Sequence, residues 1–300
     1  MEGILFPGDR TAVLSGLADP NSVPDGFVVV VVQGSGICGT DLHRYRLSKE
    51  ERRKGGEFVT GHEAVGFVAD ADLRPTRRRV AVHQAWGCTL ADGPCPEATD
   101  PRSKRCSHTA VMGLNTHGAN ATYQVVPEDR LMDLPEALDW DDAVLLACNY
   151  GTAWAAVRSL ELSPDELVLV AGLGPVGLLA AVIAKERGSS VVGLDKSPYR
   201  LDFARALGFE VITEFPPDGS HRGYDAIVET TGAVEVNQRI IAQLAPRGRG
   251  CLVGIGPATK AGSLRELIFK EARLAGSLIF DKEDWPAIVD DYMEIGRAHV

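Results

Sequence analysis

The spacing of apolar positions changes character near residue 150. Before it, apolar residues come in short runs: Phe27 to Val32, Glu63 to Ala69 and Arg79 to His83. Pro and Gly punctuate these runs, a pattern that predicts a β-rich domain rather than a helical bundle. After it, strand-like and helix-like segments alternate. A strand over 167–171 precedes a helix over 175–187. A strand over 191–194 leads to a helix that Ser197 caps, Pro198 opens and Gly208 closes. A strand over Ala226 to Glu229, a helix over 234–244 and a strand over Gly250 to Ile255 follow. A helix near 263–271 and a strand over Leu274 to Phe280 complete the series. Such alternation predicts a doubly wound parallel sheet with helices on both faces, hence an α/β fold.

The turn between the first strand and helix of that series reads Gly172-Leu173-Gly174-Pro175-Val176-Gly177. The first glycine allows a tight turn, the second lets backbone approach a pyrophosphate, and the third lets the helix lie close to its strand. The phosphates then rest on free N–H groups at the helix N-terminus. The second strand ends at Asp195, 23 residues after Gly172. Strand, glycine turn, helix, strand and acid, in that order, predict a dinucleotide site over Gly172, Gly174, Pro175, Val176, Gly177 and Asp195. Leu167 to Ala184 is an uncharged stretch of 18 residues, long enough to raise a membrane span. Its three glycines and proline are explained by the strand–turn–helix reading instead, and no membrane partner is expected.

Three hundred residues suffice for two domains with cores of their own. A formal net charge of -10 disfavours nucleic acid as a partner. The densest basic patch, Arg77-Arg78-Arg79, reads as a solvated turn. Met1 to Ser15 lacks a basic-then-apolar signal pattern. Six cysteines without such a signal point to reduced thiols in the cytoplasm, available as metal ligands or for packing.

The first half carries Gly36-Ile37-Cys38-Gly39-Thr40-Asp41-Leu42-His43 and Gly61-His62-Glu63. Thiolate and imidazole suit zinc. Taken singly, Cys38 reads equally as a buried small thiol and His62 as a satisfied polar residue. Cys-x-Thr-Asp-x-x-His, then Gly-His-Glu, then the glycine turn resembles the zinc-dependent medium-chain alcohol dehydrogenases. Leu145-Leu146-Ala147-Cys148-Asn149-Tyr150-Gly151-Thr152-Ala153 resembles their third-ligand segment. The resemblance covers nearly the whole chain. It implies a GroES-like zinc-binding catalytic domain over 1–150 and a Rossmann NAD-binding domain over 151–294.

The resemblance also implies roles. Cys38, His62 and Cys148 hold a catalytic zinc with one position open, and Glu63 ligates it or assists exchange there. Asp41 orients the His62 ring. Thr40 hydrogen-bonds the substrate hydroxyl, and His43 passes the proton to solvent. The expected reaction moves hydride from an alcohol or polyol CH–OH group to NAD. A threonine-type side-chain dehydrogenase and a non-catalytic NAD-binding protein are the alternatives.

Asp195 suits the two ribose hydroxyls of NAD and repels the extra phosphate of NADP. Lys196 and Arg200 soften that preference, and Arg200 matches a family position that reaches the ribose. Thr230, in Glu229-Thr230-Thr231-Gly232, falls where relatives line the nicotinamide. Relatives form dimers and tetramers, so a homo-oligomer is expected. A second zinc of the family's lobe would need Cys88, Cys95 and Cys106 with His83, Asp92 or His108, and the loose spacing favours a metal-free loop. Residues 295–300 read as a non-native tail, and family members run on past this point.

Overall fold

Val30 is fully buried and Val28 and Val32 pack beside it on one face of the longest strand of the first half. That strand belongs to a structure, a computed structural model, that describes residues 1–53, 56–88, 109–257 and 262–295. The chain divides into two units. One holds Met1–Cys148 with Asp281–Trp285, the other Asn149–Phe280 with the residues from Pro286 onward.

The first unit begins with a hairpin, β1 (Glu2–Gly8) and β2 (Thr11–Gly16). Then come β3 (Phe27–Ser35), α1 (Gly39–Arg46), α2 (Lys49–Arg53), β4 (Ala64–Ala69) and β5 (Pro75–Val82). A second hairpin pairs β6 (Ala85–Cys88) with β7 (Thr109–Val111). The unit continues through β8 (Tyr123–Pro127), β9 (Leu131–Asp133) and α3 (Trp140–Leu145). An antiparallel sheet in the order β8-β3-β4-β5-β9 forms its centre. Its core gathers Val30, Ala64, Val80, Val82, Met112, Val126 and Leu131.

Two expectations for this unit change. The arginines at 77–79 lie inside β5, not in a turn. Arg78 reaches Asp133 at 2.9 Å, and Arg79 donates to the carbonyls of Pro135, Glu136 and Leu138 while its guanidinium lies 4.2 Å over the Trp140 ring. Strand pairing on one edge and these side-chain anchors outweigh the polar composition. The hairpin β1–β2 and the helix α1, which carries Thr40, Asp41 and His43, have no counterpart among the predicted elements.

A π-helical turn, Leu146–Tyr150, follows α3 and carries Cys148. The second unit then runs α4 (Gly151–Arg158), β10 (Leu167–Ala171), α5 (Pro175–Glu186), β11 (Ser190–Leu194), α6 (Pro198–Ala206), β12 (Glu210–Ile212) and β13 (Tyr224–Glu229). It ends with α7 (Val234–Gln243), β14 (Leu244–Leu252), α8 (Leu264–Phe269), β15 (Arg273–Gly276) and α9 (Trp285–Ile295), of which the first residue belongs to the first unit. All strand pairs are parallel, in the order β12-β11-β10-β13-β14-β15. Leu169, Ala171 and Ile227 face one side, where Val236, Ile240 and Ile241 of α7 cover them. Val168 and Val170 alternate to the other face and are equally buried, so both faces are covered.

Boundaries differ where backbone amides find other partners. β14 stops at Leu252, short of the expected Ile255, because Val253 N and Gly254 N both turn to the Glu229 carbonyl. β15 stops at Gly276, short of Phe280. Ser197 occupies the N-cap position of α6, yet its side chain makes no capping bond; its N–H donates to Asp195 Oδ1 at 2.8 Å. The thiol of Cys88, and Asp92, Cys95, Cys106, His108 and residues 296–300, lie outside the described residues.

Candidate metal centre and dinucleotide cradle

Cys38 is both the N-cap of α1 and part of a cluster. Its Sγ accepts from Thr40 N at 3.3 Å, and its N–H donates to Asp41 Oδ2 at 3.0 Å. This reciprocal box satisfies amides that α1 would otherwise leave unpaired. The same Sγ lies 3.1 Å from His62 Nε2. On the other side of the ring, His62 Nδ1 lies 3.4 Å from Asp41 Oδ2, with His62 3% and Asp41 1% exposed. His62 and Glu63 sit just before β4, and Cys148 sits in the π-helical turn, a feature frequent at functional sites. One ligand atom from each of Cys38, His62, Glu63 and Cys148 lies within 4.8 Å of the others.

Charge in this cluster is unevenly distributed. The Cys148 thiol donates to Cys38, and this bond, against burial and with help from His62 and the Thr40 N–H, draws Cys38 down to about 4. His62 is pushed up to about 10: burial opposes its charge, but the Asp41 carboxylate and the Cys38 sulfur outweigh it. Burial, reinforced by the charge of Cys38, pushes Glu63 up to about 7. Donation to Cys38 and burial hold Cys148 well above its ordinary range. The set is therefore two sulfurs, an imidazole and a carboxylate that burial penalises for lack of positive charge. Among the described residues Asp41 Oδ1 and His62 Nδ1 are buried with no hydrogen-bond partner, His62 Nδ1 standing off at 3.4 Å from Asp41 Oδ2. A divalent ion with a taste for sulfur and nitrogen fits that donor set.

Thr40 is partly buried beside Cys38, whereas His43 stands on the exposed face of α1. His83 is buried, and its Nδ1 faces the Ala85 carbonyl at 2.9 Å. Gln84 did not stand out in the sequence. Its amide Nε2 lies 3.7 Å from Cys148 Sγ. No spacing signal marks it, because it borders the cluster only through the bend between β5 and β6.

In the second unit, Gly172 has φ +93 and its N–H donates to Leu194 O at 2.7 Å. A Cβ on Gly177 would overlap Gly172 O, so α5 starts tight against the turn. Gly174 caps α5 with no side-chain bond, Pro175 fills its first turn, and a Cβ on Gly174 would meet nothing nearer than the Arg200 guanidinium at 3.9 Å. This open, positively polarised helix end fits a pyrophosphate. Asp195 accepts from Leu173 N at 2.8 Å, from Ser197 N and from Arg200 Nη1 at 3.3 Å. Burial pushes its carboxyl up, but those three donors hold it below the usual range. Lys196 turns to Glu235 at 2.8 Å. Thr230 gives its hydroxyl to the carbonyls of Ala171 and Gly172, both at 3.0 Å, and so braces the turn.

Residues 24–136 match the alcohol dehydrogenase GroES-like domain, and residues 175–294 match the zinc-binding dehydrogenase family. An L-threonine 3-dehydrogenase of Anaeromyxobacter dehalogenans is 30% identical over 263 residues, 83% of this chain and 75% of the relative. The chain belongs to the zinc-type, alcohol dehydrogenase-like family of medium-chain dehydrogenases. This zinc-type dehydrogenase is thus an oxidoreductase, built from a GroES-like domain and a dinucleotide-binding domain with a parallel sheet. The alcohol dehydrogenase of Thermus sp. ATN1 superposes with a TM-score of 0.83 at 25% identity, over 100% of this dehydrogenase and 90% of that chain. A protein of Escherichia coli CFT073 described as a short chain alcohol dehydrogenase, complexed with NADH, superposes with a TM-score of 0.81 over 99% and 88% of the two chains; at 23% identity that likeness is one of fold.

Proposed function

We propose that this dehydrogenase oxidises the CH–OH group of a small alcohol or polyol to a carbonyl, with zinc on Cys38, His62 and Cys148 and with NAD+ on the cradle of Gly172, Gly174, Pro175, Val176, Gly177 and Asp195. The meeting of four donor atoms within 4.8 Å carries this reading. Zinc bound there supplies a Lewis acid that lowers the pKa of a hydroxyl, and NAD+ supplies the hydride acceptor. The chain's own residues do the rest. Asp41 holds the His62 ring with Nε2 toward the cluster. Glu63 serves at the open position. Thr40 holds the hydroxyl proton of the substrate, and the exposed His43 hands it to solvent.

NAD is favoured over NADP because Asp195 occupies the ribose position, while Arg200 pairs with Asp195 and Lys196 with Glu235. We assign the catalytic domain to residues 1–150, joined by Asp281–Trp285, and the NAD-binding domain to the rest of 151–294. Among the described residues the outer edge of β15 has no strand partner, which supports a homo-oligomer joined at that edge. Free thiols at Cys38, Cys148 and Cys251 among the described residues support a reducing, cytoplasmic setting. Among those residues no helix is long and apolar enough to cross a membrane. Identity to an L-threonine 3-dehydrogenase supports a second reading, an amino-acid hydroxyl as substrate.

A panel of alcohols, polyols and L-threonine, run with NAD+ and NADP+ and with zinc counted per chain, tests all of this. Turnover with NAD+ that disappears in Cys38→Ser together with the zinc is expected. Full activity in Cys38→Ser with unchanged zinc sinks the assignment.

A further inference from the structure

Gln84 is 4% exposed, at the bend between β5 and β6, and its backbone carbonyl is pinned by Met112 N at 2.9 Å. Its side-chain amide faces a sulfur with both ends: Nε2 lies 3.7 Å from Cys148 Sγ, and Oε1 lies 4.0 Å from the same atom. A buried primary amide is costly unless it is hydrogen-bonded, and a neutral thiol is a feeble partner in either direction. As a metal ligand, Cys148 is a thiolate, which accepts and cannot donate. Of the two ends, only Nε2 can then bond to Sγ, and the bond becomes charge-assisted.

We infer that Gln84 is a positioning residue of the metal centre, its side-chain amide donating an N–H···S hydrogen bond to the Cys148 thiolate. This rests on the reading of Cys148 as a zinc ligand. The bond fixes the direction of Sγ and withdraws charge from it, so the sulfur gives less electron density to the ion it holds.

Three measurements test it. In wild-type protein loaded with ¹¹³Cd, a glutamine side-chain amide proton is expected to show scalar coupling to cadmium through the sulfur. In Gln84→Met, which keeps length and loses the donor, the zinc dissociation constant is expected to rise about ten-fold. With cobalt in place of zinc, its thiolate-to-metal charge-transfer band is expected to move to lower energy. A loaded wild type with no such coupling, or Gln84→Met with unchanged zinc affinity and an unmoved cobalt band, overturns the inference while leaving the metal centre standing. If Gln84→Met does not fold, the wild-type spectrum decides alone. A wild type that takes up none of the three ions sinks the metal-centre reading and this inference with it.

Discussion

Gly36 lacks a side chain where Glu63 needs the room: a Cβ on Gly36 would overlap Glu63 Oε2 and press on Val144. The Gly36 N–H also donates to the Glu63 carbonyl at 3.1 Å, which fixes the approach of the two segments. Gly36→Ala is therefore expected to displace the Glu63 carboxylate from the cluster and to cost about 1–3 kcal/mol of stability through overpacking. Zinc titration and thermal unfolding of the variant check this. Wild-type values in both would show that the carboxylate has somewhere else to go.

Asp41 binds the Cys38 N–H at 3.0 Å and faces His62 Nδ1, so it serves the helix cap and the imidazole at once. Asp41→Asn keeps the shape and loses the charge. Zinc affinity is expected to fall about 10- to 100-fold, read by competition with a chromophoric chelator.

Zinc uptake is expected to release protons. At pH 8, Cys38, held near about 4, is already a thiolate, and Glu63, near about 7, is ionised. His62, held up to about 10, and Cys148, held well up, still carry theirs. Ligation needs a neutral imidazole and two thiolates, so each of these two groups gives up a proton. Affinity then rises with pH and levels off once His62 and Cys148 have lost their protons unaided. Calorimetry in buffers of different ionisation enthalpy counts the protons; a count near zero contradicts the assignment of these ligands.

Asp195→Ser removes the carboxylate that Arg200 pairs with at 3.3 Å and frees that guanidinium beside Gly174. The Michaelis constant for NAD is expected to rise at least about ten-fold, the loss of a charge-assisted hydrogen bond, while that for NADP falls. Steady-state kinetics with both cofactors measure the ratio.

In the second unit, Arg249 clamps Glu166 with bonds of 2.9 and 2.6 Å and gives Nε to Leu160 O at 2.6 Å. The Arg249 guanidinium holds the Glu166 carboxyl below its ordinary 4.5. A depressed folded pKa means that the contribution is complete above about pH 4.5 and is lost as pH falls through the folded value. Glu166→Gln is expected to lower stability by about 1–2 kcal/mol at pH 7. The gap between variant and wild type should shrink below pH 4.5 in urea unfolding run across that range.

Local order was legible in the sequence alone. Apolar period, glycine punctuation and the acid after the second strand are properties of neighbouring residues, and they placed β10, α5, β11 and Asp195 to within a residue or two. What neighbours cannot show is which distant backbone amides compete for one carbonyl, and so β14 ends at Leu252 where Val253 and Gly254 bend to Glu229. The metal centre is the extreme case. Cys38 comes from the cap of α1, His62 and Glu63 from the start of β4, Gln84 from a bend and Cys148 from a π-helical turn. The sequence supplied their chemistry and, through resemblance, their grouping. Their approach to within 4.8 Å of one another, with Gln84 beside Cys148, was decided by the tertiary fold: the pairing of β3, β4 and β5 aligns the segments next to Cys38, His62 and Gln84, and the π-helical turn after α3 brings in Cys148, so that atoms far apart along the chain share one dry space.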